Sequence, residues 1–194
     1  MAEVREAARL DPGGGHQTTL AWCLSEAGDL DAAMALYRTE LEAHPDRLRV
    51  HTWMGMFYLN AGRIEEATRE ADCAIPPVHG VERFDHALLN ALLGRTGPVE
   101  ELYAAIERHE PGLYVSDSDR AMIAGALGQN ELALDLLEKD AREGDRILWL
   151  YSRGLFFDSI RDDARFKALL REYRLPDRPL RRPRWRGPGV ASAG

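Results

Sequence analysis

The sequence predicts an all-α protein, a solenoid of stacked helix–turn–helix hairpins. Three observations carry this. The chain repeats itself at a step of 34 residues: Leu20 meets Met54, Ala21 meets Gly55, Leu24 meets Tyr58, and Ala27 meets Ala61. Gly28 meets Gly62, Leu30 meets Ile64, Ala33 meets Ala67, and Leu41 meets Ile75 in the same register. Self-similarity at a period of 20–50 residues is the mark of stacked repeats. Within each unit the apolar residues follow helical spacing. Glycine and proline then punctuate the units where a hairpin needs a turn and a stop.

The first unit shows how each element arises. Leu20, Ala21, Leu24 and Ala27 lie on one face of a first helix. Gly28-Asp29 ends it, since glycine accepts the left-handed backbone a helix end often requires. Leu30, Ala33, Tyr37 and Leu41 form the apolar face of a second helix, and Pro45 stops that one. The second unit repeats the plan with Met54-Gly55, Tyr58, Gly62, Ala67, Ala71, Ala74 and Pro76. Small residues belong where the two helices cross, because a larger side chain there would push the backbones apart. The first unit departs from this rule at Gln17 and Glu40, which predicts looser packing.

These residues resemble the tetratricopeptide repeat. That family has a large then a small residue and an aromatic in the first helix, glycine at the turn, alanine early in the second helix, and proline after it. The resemblance implies an α-solenoid of tetratricopeptide-type hairpins that presents a concave face to a protein or peptide. A subset of the family clamps a terminal carboxylate with lysine and asparagine. Thr18, Trp22, Thr52 and Met56 stand at those positions here, so that ligand is not implied.

The pattern continues less regularly. Leu88, Leu89 and Leu92, then Gly97, Leu102 and Ile106, predict a third hairpin whose turn is at Gly97 and whose small crossing residue is replaced by Leu102. Ala121, Ala124, Gly128, Ala133 and Leu137 predict a fourth, with Asp117 or Ser118 as its N-cap. The expected organisation is a half-repeat at 1–13, repeats at about 14–47, 48–81, 82–113 and 114–144, and a capping segment at 145–173. The half-repeat, Val4 to Pro12, reads as the end of a second helix. It implies a piece of a longer chain, a misplaced start, or a cap. In the capping segment, Asp163, Arg165, Phe166, Leu169 and Leu170 resemble the closing pattern of tetratricopeptide domains at the C-termini of bacterial signalling proteins. That resemblance implies a regulatory module from a kinase, cyclase or winged-helix regulator as an alternative role.

The formal charge is −7 over 194 residues, and it is uneven. Residues 174–194 hold six arginines against Asp177, a local +5, which leaves −12 for the rest. The acidic body argues against nucleic-acid binding. The tail, with four prolines, buries too little apolar surface to offset its ordering entropy and is predicted to be disordered. Its basic run Arg178–Arg186 with Trp185 suits an acidic partner, RNA or an anionic membrane, although a solubilising tail is the plainer reading. No apolar run is long enough to span a membrane and the N-terminus lacks an apolar signal core, so the expected compartment is the cytoplasm.

Motifs for chemistry are scarce. No Walker, dinucleotide-binding, nucleophile-elbow or zincin motif occurs, so no catalytic residue, cofactor or metal is expected and the chain reads as a non-enzyme. Gly13-Gly14-Gly15 follows a helix and reads as a loop. Cys23 and Cys73 read as two buried thiols. None of the six histidines pairs at helical i, i+4 spacing; His44, His79 and His109 fall near second-helix ends. Asp117 and Asp119 read as capping residues and not as a calcium loop, which would need a glycine and a glutamate at set positions.

Function is therefore expected on the concave face lined by first helices. The candidate partner-binding residues are Trp22, Arg49, Trp53, Met56, Asn60, Arg83, His86 and Asn90, with Thr18, Thr19, Glu26, Thr52, Ser118, Asp119 and Met122 on the same face. Tryptophan and arginine dominate binding hot spots, and asparagine can grip a peptide backbone through both a donor and an acceptor. Trp22 and Trp53 have an alternative role, packing between hairpins. The expected partner is a protein or peptide; a small-molecule or catalytic site in the groove and self-association through the uncapped half-repeat are the alternatives.

Overall fold

The computed structural model describes residues 16–27, 29–47, 49–74, 81–143 and 154–175. The half-repeat at 1–13, the glycine loop at 13–15, His79, the Pro76 stop and the tail beyond Leu175 lie outside the described residues. Among those described, all regular structure is helical. They fall into two compact units, divided between Ile75 and Pro76.

The first unit contains α1 (His16–Ala27), α2 (Leu30–Ala43), α3 (Arg49–Asn60) and α4 (Ile64–Cys73). Helices α1 and α2 pack as one hairpin, α3 and α4 as another, and α2 packs on α3. Its core is Ala21, Leu24, Ala33, Met34, Tyr37, Met54, Phe57, Tyr58, Leu59 and Ala67, all buried. The second unit contains α5 (Val81–Leu92), α6 (Gly97–Glu107), α7 (Asp117–Ala126), α8 (Asn130–Glu143), a single 3-10 turn (Leu155–Phe157) and α9 (Ala164–Glu172). Here α5 pairs with α6, α7 with α8, and α5 packs on α7. The 3-10 turn seats on α7 and α9 on α8.

The hairpin turns share one hydrogen bond, from an amide to the carbonyl five residues back. It joins Asp29 to Leu24 at 2.9 Å, and Arg63 to Tyr58, Arg95 to Asn90 and Gln129 to Ala124 at 2.8 Å. This is the six-to-one closure of a helix C-terminus, which needs a left-handed residue just before the donor. Gly62, Gly94 and Gly128 supply it, with φ of +75°, +77° and +74°. The third turn is therefore at Gly94, a correction to the expected Gly97. Gly97 instead opens α6, followed by Pro98 in its first turn.

The shift moves every later assignment in that hairpin by three residues. The steps between turns become 32 and 34 instead of 35 and 31. Ala21, Gly55, Ala87 and Ala121 become equivalent, as do Ala33, Ala67, Val99 and Ala133. All eight are buried. Val99, not Leu102, thus holds the crossing position of the third hairpin. Valine there is bulkier than the alanine at the same position of the other hairpins, and bulk at a helix crossing holds the backbones apart.

Three further expectations are corrected. Glu40 is not a loose spot: it is buried and paired with Arg47. Ser116, not Asp117 or Ser118, caps α7, in a reciprocal box with Asp119. Cys73 is exposed and Cys23 only half-buried, so neither is a core thiol.

Asp163 caps α9 by accepting from the Arg165 amide at 2.7 Å. Phe157 and Phe166 are buried, 5.5 Å apart between ring centroids. A Cβ on Gly125 would stand 2.2 Å from the Phe156 carbonyl oxygen, so only glycine lets α7 meet this turn so closely.

Candidate partner-binding surface

Helix α3 carries four of the eight candidate residues. Arg49, Trp53, Met56 and Asn60 recur at steps of four, three and four, which places them along one stripe of the helix. All four are half-buried. Their neighbours on other faces, Val50, Met54, Phe57, Tyr58 and Leu59, are buried, and these fix how the stripe is presented.

Trp53 is held on two sides. The Arg49 guanidinium lies 4.6 Å from its ring centroid. On the other side stands Tyr37 of α2, at 6.3 Å between centroids and a tilt of 47°. Tyr37 stacks on Phe57 at 6.1 Å and is fully buried. Its burial holds the phenol pKa far above its ordinary value, with the nearby Cys23 adding to the shift. The two readings of Trp53, packing and recognition, are therefore compatible: one part of the ring rests on the core and the rest meets solvent. An arginine over an indole contributes about 0.5–1 kcal/mol when exposed and limits the rotamers of both groups.

Two polar links support α3 from behind. His51 Nδ1 lies 2.7 Å from Glu70 Oε2 on α4. Arg38 of α2 donates to the Tyr58 hydroxyl at 3.2 Å, while Arg63 lies 4.7 Å from the centre of the Tyr58 ring. Tyr37 was not among the candidates. Its signal was available, since an aromatic on a second helix precedes a tryptophan on the next first helix.

The three candidates on α5 differ, and all belong to the second unit. Arg83 donates to Glu110 at 2.5 Å, and Arg108 donates to the other oxygen of the same carboxylate at 2.6 Å. Those two hydrogen bonds, Arg108 first, hold the Glu110 carboxyl below its ordinary range. Arg83 is thereby committed to pinning the loop after α6. His86 and Asn90 are buried, a correction to their expected exposure. The Asn90 amide donates to the His86 carbonyl at 2.9 Å and lies 3.2 Å from its ring nitrogen. The register explains this. With the turn at Gly94, Asn90 is equivalent to Tyr58, a core position. Thr52, Ser118 and Met122 are buried as well. The side chain of Trp22 lies outside the described residues.

Among the described residues no group of three histidine, cysteine, aspartate or glutamate side chains converges to hold a metal ion. No described helix is long and apolar enough to cross a membrane. The α3 stripe carries aromatic, thioether, amide and guanidinium groups.

Residues 19–73 match the family described as tetratricopeptide repeat. Over this stretch the chain is similar to the tetratricopeptide repeat family. The matched stretch takes in nearly all of α1 to α4, including Tyr37 and the α3 stripe. Neither curated proteins nor solved structures give a match. Tetratricopeptide repeats generally mediate contacts between proteins, the coarse role this likeness points to.

Proposed function

We propose that this protein is a cytoplasmic, non-catalytic scaffold that recognises a protein or peptide partner through the exposed stripe of α3. The observation that carries the reading is the Trp53 ring, half-exposed yet fixed between Arg49 and Tyr37. A rigid aromatic loses little conformational freedom on binding, so more of its buried area becomes affinity. Met56 adds an adaptable apolar contact, and Asn60 adds an amide. In this reading the four hairpins act as repeats, and the closing segment ends the second unit.

The closing pattern that suggested a module of a bacterial signalling protein has a structural use at each residue: Asp163 caps, Phe166, Leu169 and Leu170 pack, and Arg165 pairs with α8. Partner binding is therefore the preferred reading. Panning a displayed random-peptide library on the purified protein tests it. Sequences enriched on wild type are expected to be lost on a Trp53→Ala, Met56→Ala variant whose helical circular dichroism is unchanged. Equal enrichment on both proteins would remove α3 as the binding surface.

A further inference from the structure

We draw no further inference here: the strongest candidate, the half-exposed Trp53–Met56 stripe of α3, belongs to the site already described, and nothing in the structure shows what covers it.

Discussion

Glu40 shows how a single residue departs from the repeat without unfolding it. Its register equivalent in the second hairpin is Ala74, and both are buried. The carboxylate is accommodated because Arg47, itself 42% exposed, folds back onto it. The two ends of this pair are not equal. Removing Arg47 leaves a charge stranded in the interior, whereas removing Glu40 leaves an arginine that water can solvate. Arg47→Ala is expected to destabilise the first unit by about 1–3 kcal/mol. Glu40→Ala, which restores the residue found at the equivalent position, should change stability by less than about 1 kcal/mol. Urea midpoints of the two variants check the asymmetry, and a larger loss for Glu40→Ala would contradict it. Glu40 stands out in the sequence as an exception, but its partner does not, because Arg47 lies beyond the end of α2 and no periodicity links the two. Asn90 is the converse case. Its polarity suggested exposure, while its position, one core residue before a turn, decided its burial.

At the scale of the element, the helices were legible and one register was not. Apolar spacing located the first two hairpins because their turn glycines are unambiguous. The third contains both Gly94 and Gly97, and the 34-residue step favoured the wrong one. Pro98 held the answer. Proline is tolerated in the first turn of a helix, where its missing amide has no partner to lose. A helix that opens at Gly97-Pro98 needs its turn before Gly97. The assignment is open to direct measurement. Gly94→Ala forces a left-handed alanine and should cost about 1–2 kcal/mol. At Gly97 an added Cβ meets no atom within 4 Å, so Gly97→Ala should be neutral or slightly stabilising. Thermal midpoints in the reverse order would return the turn to Gly97.

For the whole molecule, surface arginines tie helices and loops together in both units. Arg63 bonds Glu66, and Arg83 and Arg108 bond Glu110. Arg165 reaches Glu138 at 2.7 Å, Asp135 at 2.5 Å and Glu131 at 3.1 Å, pinning α9 to α8. Hydrogen bonds from these arginines hold the Glu66, Glu110 and Glu138 carboxyls below their ordinary range. A depressed folded pKa means the contribution is fully present above the unfolded value and is lost as pH falls through the folded one. Stability is therefore expected to hold through neutral pH and to decline below the usual carboxylate range. Since these groups are only partly buried, salt should weaken the effect. Arg165→Ala should flatten the acid limb of a stability-against-pH curve; an unchanged limb would show that the cluster contributes nothing.

The proposed binding surface is a smaller part of this architecture than the sequence implied. Four candidate residues remain together on α3, while Arg83, His86 and Asn90 serve the interior and a loop of the second unit. The most direct test is a calorimetric titration of a selected peptide into wild type, Trp53→Ala and Tyr114→Ala. Tyr114 is the control, an aromatic 82% exposed on the loop before α7. A hot spot of about 2 kcal/mol corresponds to a loss of roughly 30-fold in affinity. Trp53→Ala is predicted to weaken binding by about that factor and Tyr114→Ala to leave it unchanged. Full affinity in Trp53→Ala, or loss only in Tyr114→Ala, would contradict recognition through α3.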